Sequence, residues 1–404
     1  MGMYLGGQRV LPIIDIQVQG EDSGGQYLVR VIDYDGTVLK QDHLDGGATF
    51  KLPKNPSHAG LVFDGWSSPV TISNGVVTVG NSDITIGAMY HTASGLSEFD
   101  ISGALTVTLN MDGTKNWGDG TSDTSTTHTY ASAGDYTITC NGSTMTTSSS
   151  SGLFGQNSNT PCPYVKDVRL GSNVTSIGEY AFQYCYSLTS TMIPEGVTSI
   201  DTYAFASCYS LTSITIPSSV TSIDSSVFGN CSSLTSITIP EGVISIGSYA
   251  FASCSSLTSI TIPEGVISIG SYAFNGCFSL ISIIIPEGVT SIDDRMFTNC
   301  TSLRSITIPE GVISIDTYAF AGCPSLTSIT IPSSVTSIGS NVFSSCHSIL
   351  EYDFSNSAAV PTLSDTNAFT GINKICKIKV PVSLESQWKA ETNWSTYADY
   401  IVGV

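Results

Sequence analysis

Residues 234–256 have the sequence LTSITIPEGVISIGSYAFASCSS, and residues 257–279 repeat it as LTSITIPEGVISIGSYAFNGCFS. Twenty of the 23 positions are identical in the two copies. Because a unit this short cannot bury its own apolar face, the repetition predicts a solenoid of stacked coils. Aligned on Phe-x-x-Cys, the chain contains eight consecutive units, and the last of them ends near Asp353. The units begin near Leu170, Ile193, Ile216, Ile239, Ile262, Ile285, Ile308 and Ile331. A partial ninth unit precedes them and contains Cys162, Val165 and Leu170.

Each unit contains the same order of short elements. The pattern Leu-x-x-Ile-x-Ile predicts a strand with three inward apolar side chains, and the proline that follows ends it, because proline cannot donate to a ladder. Val-x-x-Ile predicts a second short strand on the opposite side. Ser-Tyr-Ala-Phe-x-x-Cys predicts a helical turn with alanine and phenylalanine on its inward face.

This pattern resembles the BspA-type leucine-rich repeats of bacterial surface proteins. The resemblance covers residues 162–353, and it implies a right-handed, curved solenoid used for adhesion or recognition, not for catalysis. The tail that follows resembles the segment that often closes such arrays. From its residues it predicts a strand at 376–380 and a helix from about Ser383, with Leu384, Trp388 and Trp394 as its apolar contacts. A cap is required because the last coil would otherwise expose a raw edge.

Two shorter segments precede the repeats. In residues 26–92, strand-like stretches alternate with polar ones, which predicts a small β-rich domain. This segment resembles the β-grasp repeat of the internalin B-repeat kind through Asp35-Gly36 and Gly65-Trp66. Residues 95–146 contain WGDGTSDTSTTHTYASAGDYTITC and resemble the PKD module, an Ig-like sandwich. Residues 143–152 predict a flexible linker or a loop before the solenoid.

The predicted fold is therefore mainly β. It comprises an N-terminal segment at 1–25, β modules at 26–92 and 95–146, a leucine-rich repeat solenoid of about eight 23-residue coils at 153–353, and a C-terminal strand–helix cap at 354–404.

The charge of the chain excludes some partners. The net charge is −19, and only 12% of the residues are charged. An acidic surface repels phosphate, so we expect neither nucleic acid nor anionic lipid as a partner. No stretch of 18 apolar residues exists, so we expect no membrane insertion. From its start we expect no secretory signal peptide in this sequence, and its first residues, MYLGGQRV, weakly resemble the openings of prophage tail-associated proteins.

A cysteine occurs once in each unit. Disulfides between adjacent coils would suit the coil spacing, and a metal site would need a C-x-x-C pair or nearby histidines, which this spacing lacks. The favoured interpretation is a buried, small hydrophobic residue in the core wall, because the column repeats with the core positions. On that basis serine at Cys254 should cost more stability than alanine, because its hydroxyl has no guaranteed partner. The column consists of Cys162, Cys185, Cys208, Cys231, Cys254, Cys277, Cys300, Cys323 and Cys346.

Two sets of residues are candidate ligand contacts. The first set is a row of hydroxyls expected to point outward from the first strand of each coil, and it could serve as a recognition face for protein or glycan, as an ice-binding array, or simply as a solvated surface. The second set contains aromatic side chains that the repeat does not require. The candidates are Ser213, Thr215, Ser236, Thr238, Ser259, Thr261, Thr307 and Thr330 in the first set, and Tyr184, Tyr186, Tyr209 and Phe278 in the second.

Two further columns have plainer interpretations. The tyrosines at Tyr180, Tyr203, Tyr249, Tyr272 and Tyr318 are regular enough to be half-buried packing. The glutamates after the prolines form either a solvated acidic edge or, with less support, a calcium site, since no oxygen cage surrounds them. They are Glu195, Glu241, Glu264, Glu287 and Glu310.

No arrangement of residues indicates an enzyme. The five histidines are spread over three segments without partner spacing, and neither a phosphate-binding glycine loop nor a nucleophile elbow occurs. We therefore predict a non-enzymatic extracellular or cell-surface binding protein with no cofactor and no metal. Its recognition surface would meet a protein or glycan on a bacterial or host cell. The alternatives are a phage or prophage tail-associated structural or receptor-binding protein in a virion, and a purely structural stalk. The oligomeric state stays open.

Overall fold

The structure is a computed structural model of the 404-residue chain. It describes the first unit through its strands and a short turn, namely residues 3–5, 8–10, 26–32, 38–45, 47–51, 61–67, 72–73, 76–78 and 84–92, and it describes residues 96–404 apart from 146, 149–150 and 157–160. The chain divides into two compact units, Met1–Gly95 and Leu96–Val404. Within the described residues, no helix has the length and apolar character needed to cross a bilayer.

The described residues of the first unit form strands in three sheets. β3 and β9 lie parallel at the centre of a four-stranded sheet of order β4-β3-β9-β6. Gly65 and Trp66 of the predicted β-grasp signature lie in β6, whereas Asp35 and Gly36 lie outside the described residues. The remaining sheets have the orders β1-β2 and β5-β8-β7. The strands are β1 (Met3–Leu5), β2 (Gln8–Val10), β3 (Gln26–Ile32), β4 (Val38–Asp45), β5 (Thr49–Lys51), β6 (Leu61–Ser67), β7 (Ile72–Ser73), β8 (Val76–Thr78) and β9 (Ile84–Thr92).

The second unit begins with a six-stranded sheet that leads directly into the solenoid. Its order is β12-β11-β13-β10-β14-β16, and β10 pairs antiparallel with both β13 and β14. β14 then pairs parallel with β16, which is the first strand of a coil. The strands are β10 (Ser97–Thr108), β11 (Lys115–Asn116), β12 (Ser122–Asp123), β13 (Thr127–Cys140), β14 (Val165–Arg169) and β16 (Ser190–Met192).

One hydrophobic core runs through this sheet and the solenoid. It extends from Phe99 in β10 to Ile401 near the C-terminus. Arg169 of β14 reinforces the junction, because its guanidinium contacts the carboxylates of Glu98, Asp100 and Asp167 at 2.8–3.3 Å. The segment resembling a PKD module therefore shares its core with the repeats and covers their first coil.

The solenoid has about ten turns at 23-residue spacing. Each coil contributes to two parallel strand columns. The first column includes β21 (Ser282–Ile284), β23 (Ser305–Thr307), β25 (Ser328–Thr330), β27 (Glu351–Asp353), β29 (Lys377–Val380) and β30 (Ile401–Gly403). The second includes β15 (Ser176–Ile177), β17 (Ser199–Ile200), β18 (Ser222–Ile223), β19 (Ser245–Ile246), β20 (Ser268–Ile269), β22 (Ser291–Ile292), β24 (Ser314–Ile315), β26 (Ser337–Ile338) and β28 (Thr362–Leu363).

Each coil buries eight side chains, one from every apolar column of the template. In the coil that ends at Cys254 all of them are at most 6% exposed. The phenylalanines stack on each other from coil to coil, with ring centroids 5.0–5.8 Å apart between Phe182 and Phe343. The buried residues of this coil are Leu234, Ile237, Ile239, Val243, Ile246, Ala250, Phe251 and Cys254.

The segment predicted as a helical turn contains successive turns instead. Two residues of each of the eight regular coils have the left-handed conformation, as at Tyr249 (φ 60°) and Ser253 (φ 59°), which interrupts a right-handed helix. The amides of Tyr249, Phe251 and Ser253 all donate to carbonyls of the next coil. Bonding between coils therefore alternates with turns closed within the coil, as at the amides of Ala250, Ala252 and Cys254.

The predicted C-terminal strand and helix are both present. β29 pairs with β27 and β30, and the helix α1 (Glu385–Ala390) lies between two 3-10 turns, Val382–Leu384 and Trp394–Tyr397. Trp388 and Trp394 are fully buried. The repeat continues past Asp353, because Phe369 stacks on Phe343 with a 5.4 Å centroid distance. A longer coil thus separates the last regular unit from the helix, which accounts for about ten turns where the template predicts eight and a partial ninth.

Candidate functional site

The hydroxyl candidates form one exposed surface along the first strand column. All eight side chains are exposed, and the isoleucines between them are buried. Thr215, Thr238 and Thr261 bridge neighbouring coils in parallel, so their side chains follow one another along the solenoid. We call this surface the hydroxyl face; it consists of Ser213, Thr215, Ser236, Thr238, Ser259, Thr261, Thr307 and Thr330.

A second threonine column borders the hydroxyl face. Its residues were not among the predicted ligand contacts. Thr212, Thr235 and Thr258 are exposed. Each hydroxyl donates to the carbonyl of the equivalent threonine in the preceding coil, at 3.3–3.5 Å. The hydroxyl protons are therefore used within the protein, which leaves oxygen lone pairs free to accept hydrogen bonds from a ligand.

Three of the aromatic candidates meet in one cluster. Tyr186 stacks on Tyr209 of the next coil, with centroids 4.8 Å apart and ring planes at 21°. Tyr184 contacts Tyr186 edge to face at 6.1 Å. Tyr209 is 42% exposed. Burial raises the pKa of the Tyr186 phenol, so this ring stays uncharged at neutral pH.

Phe278 lies three coils further along, in the most apolar part of this surface. It is exposed together with Ile281 and Ile284 of the same coil. Ile284 lies in the threonine column of the hydroxyl face, paired with Thr307, and is 71% exposed. Of these three residues only Phe278 was a predicted ligand contact, although the same signal marks both isoleucines: FSLISIII replaces SSLTSITI in this one coil.

The regular tyrosine column lies on the turn side of the coil. Tyr180 stacks on Tyr203 and Tyr249 on Tyr272, at 5.2 and 4.4 Å. Arg295 takes the place of a tyrosine in its coil and lies over the ring of Tyr272. Tyr203 and Tyr249 are 37% and 43% exposed, so the column packs against itself more than against the core.

All eleven cysteines are free and buried. From Cys208 to Cys346, each thiol donates to the carbonyl of a phenylalanine in the preceding coil at 3.1–3.3 Å. Burial raises the pKa of Cys231 and Cys277 to about 12. These two thiols are therefore protonated, inert parts of the core wall.

The glutamate edge has partners at two of its positions. Ser218 donates to Glu195 through both its amide and its hydroxyl, at 3.1 and 3.0 Å, and Ser333 does the same to Glu310. These coils carry Ser-Ser where their neighbours carry Glu-Gly. Across the part of the chain that the structure describes, no group of three or more acidic, histidine or cysteine side chains could hold a metal ion.

A shallow acidic groove lies beside the second strand column. Asp294, Asp316, Ser337 and Ser364 line it. Burial raises the pKa of Asp316, and the nearby charges of Asp293 and Asp294 add to this shift. The guanidinium of Arg295 contacts the Asp294 carboxylate at 3.0 Å, so one acidic group of this shallow groove is already paired within the protein, and the groove is a solvated surface rather than a built site.

The chain has informative similarities to known proteins. A family model for the BspA type leucine rich repeat region matches in overlapping stretches at residues 153–280, 224–350 and 267–388. No protein of curated function matches the chain.

Solved structures with similarity to the chain include three bacterial proteins. A leucine-rich repeat protein from Bacteroides ovatus is 29% identical over 54% of this chain and 66% of its own length, with a TM-score of 0.46. The T. pallidum leucine rich repeat protein is 30% identical over 45% of this chain and 90% of its own, with a TM-score of 0.39. A leucine rich cell surface protein from Faecalibacterium prausnitzii is 34% identical over 49% and 62%, with a TM-score of 0.37. The chain thus spans about two thirds of the first and third of these proteins.

The family match begins at Leu153, so the resemblances of the two preceding segments to PKD and internalin modules remain predictions. It also gives no support to a phage-tail protein. The match supports a binding or adhesion role in general and a surface or extracellular location. Because the matched stretches cover more than half of the chain and coincide with the observed coils, the chain belongs to the family of BspA-type leucine-rich repeat proteins.

Proposed function

We propose that this chain is a non-enzymatic adhesion protein that binds a protein or glycan ligand at a cell surface. Its ligand surface is the hydroxyl face together with the aromatic side chains of Tyr184, Tyr186, Tyr209 and Phe278. The first segment of the chain and the sheet around β10 serve as attachment and capping units for the solenoid.

One observation carries this proposal. Large apolar side chains replace small polar ones at exposed positions of a repeat that is otherwise nearly uniform. Phe278 stands where the preceding coil has Ser255, and Ile284 stands where it has Thr261. Exposed apolar groups contribute nothing to the core, and on a solvated surface they favour binding.

The surface around these groups suits recognition more than catalysis. Apart from the exposed Arg304 in the coil after Phe278, it is formed mainly by uncharged hydroxyl side chains, and these are anchored to a core of stacked rings. Rigid scaffolds of this kind present extended surfaces to ligands with little loss of conformational entropy.

Binding of the full-length protein to cells tests this function. The fluorescently labelled chain would be applied to a panel of bacterial and epithelial cells and to immobilised extracellular matrix proteins. A variant with Tyr186, Tyr209 and Phe278 changed to serine should lose at least tenfold in binding. Serine is the natural residue at this position in two coils, Ser232 and Ser255, so the variant should fold.

A matched control removes three other tyrosines. Tyr203, Tyr249 and Tyr318 changed to serine imitate the coil that carries Ser226, and this variant should keep its binding. If wild type and both variants bind equally, the solenoid is a stalk whose ligand surface lies elsewhere. If wild type binds to none of the targets, the proposed function is wrong.

A further inference from the structure

We propose that the two coils between Tyr209 and Phe278 form a binding bay for a short neutral carbohydrate. This inference rests on the proposed ligand-binding function and names the class of ligand. The bay consists of Tyr209 and Phe278 as walls and of Ser232 and Ser255 as the floor; we call it the serine bay.

The walls and the floor belong to one column, the position directly after each cysteine. Tyr186, which lies one coil earlier, covers one face of the Tyr209 ring. Its other ring face is turned toward the following coil, where the column holds only Ser232. The next large side chain of the column is Phe278, three coils from Tyr209 and roughly 15 Å away at about 4.8 Å a coil.

The floor presents hydrogen-bond acceptors. The hydroxyl of Ser232 donates to the carbonyl of Tyr209 at 3.5 Å, and the hydroxyl of Ser255 donates to the carbonyl of Ser232 at 3.2 Å. Both serines are only half-buried. Since each proton is already used within the protein, the serine oxygens are oriented to accept from the hydroxyls of a ligand.

Asn230 adds a group that both donates and accepts. It is exposed and lies two residues before Ser232. Tyr184 holds the equivalent position in its coil, and its contact with Tyr186 shows that side chains at these two positions meet. The carboxamide of Asn230 is therefore placed at the side of the bay.

The ligand class follows from polarity and charge. Residues 230–240 and 253–263 contain no charged side chain, so an ion would find no countercharge here, and the net charge of −19 repels anions. The free ring face of Tyr209 and the exposed phenyl ring of Phe278, with hydroxyl acceptors between them, match a pyranose, which has an apolar face and a rim of hydroxyls. A disaccharide would place one sugar ring against each wall.

An extended peptide fits less well. The amides of Ser256 and Thr258 already donate to carbonyls of the preceding coil, at 3.2 and 3.3 Å. The backbone here offers no free strand edge for a peptide to extend.

Saturation-transfer NMR and calorimetry on the full-length protein test the bay. The probes are maltose, cellobiose, lactose, N-acetyllactosamine and chitobiose, with sialyllactose as the acidic comparison. At least one neutral probe should receive saturation at its ring C–H protons, and Tyr209→Ser or Phe278→Ser should weaken its affinity at least tenfold. Sialyllactose should bind more weakly than lactose.

The sharpest variant fills the bay. Ser255→Phe introduces a residue that the next coil accommodates at Phe278, and it should abolish binding. Thr301→Phe places the same side chain in the same column one coil beyond the bay, and it should leave binding unchanged.

Two results would overturn the bay: no saturation of any neutral probe at millimolar concentration, or binding that survives Ser255→Phe. The cell-binding assay, run in parallel, separates this failure from that of the proposed function. If the protein binds cells but none of the sugars, the proposed adhesion role stands and only the proposed carbohydrate ligand is wrong.

Discussion

The thiol of Cys254 donates a hydrogen bond to the carbonyl oxygen of Phe228, 3.2 Å away in the preceding coil. The same carbonyl accepts the amide of Cys231, which closes a turn within its own coil. The sulfur therefore fills space in the core wall and adds a weak link between coils, which explains why a small apolar residue with one donor suits this position.

This contact predicts the order of two substitutions at Cys254. Serine keeps a donor within reach of the Phe228 carbonyl, whereas alanine loses both the donor and the volume of the sulfur. We expect Cys254→Ala to cost about 1–2 kcal/mol and Cys254→Ser to cost no more than that. Urea unfolding midpoints of the two variants check the order. The sequence alone predicts the reverse order, so a clearly less stable serine variant would favour that simpler view.

Thiol chemistry should leave the native protein almost untouched. All eleven cysteines are buried, and burial raises the pKa of Cys231 and Cys277 to about 12, so these two thiols form almost no thiolate at pH 8. Titration with Ellman's reagent should detect very few thiols in the native chain and all eleven after unfolding in urea. Reductant should not change the melting temperature. A clear fall in melting temperature with reductant would mean that the coils are joined by disulfides.

Glycine should stabilise the chain at one serine and destabilise it at another. Ser345 has a φ of 63°, a conformation that costs a non-glycine residue roughly 1 kcal/mol. Ser345→Gly should therefore raise the free energy of unfolding by about 0.5–1 kcal/mol, as glycine already does in the equivalent positions Gly276 and Gly322. Ser328→Gly in β25 should lower it by a similar amount, since a strand gains nothing from that freedom. Equal effects at both serines would contradict the role of backbone conformation.

The sequence predicted the coils well because every apolar column faces the same core. The strands, the proline stops and the inward cysteines all follow from a period of 23 residues, and Trp388 and Trp394 marked the cap. The turn after the second strand was predicted as helical because Ala and Phe have a helical spacing. The left-handed Tyr249 could not be anticipated, since bonding to the next coil decides its conformation and tyrosine has no preference for it.

The candidate site was predictable only in part. Phe278 differs from its neighbours in the repeat, and the sequence shows this directly. The stacking of Tyr186 on Tyr209 and the direction of the Ser232 and Ser255 hydroxyls depend on the distance between coils. Similarly, β14 pairs with β10 through contacts between residues about 70 positions apart, for which no local pattern exists.

Asp119 in the sheet of β10 should make stability depend on pH in the acid range. Its carboxylate accepts from the amide and the hydroxyl of Thr121, at 3.0 and 2.6 Å, and from the ring of His128 at 2.8 Å. The bonds from Thr121 are the main cause that lowers the pKa of Asp119 from 3.8 to about 2. A lowered pKa in the folded state gives stability that is complete above pH 3.8 and is lost as the pH falls toward 2. Wild type should therefore be more stable than Asp119→Asn at pH 5, and the difference should shrink between pH 4 and pH 2. Urea unfolding at each pH, with carbon NMR titration of the Asp119 carboxyl, measures both quantities. A difference that stays constant over this range would show that the carboxylate charge contributes nothing to the fold.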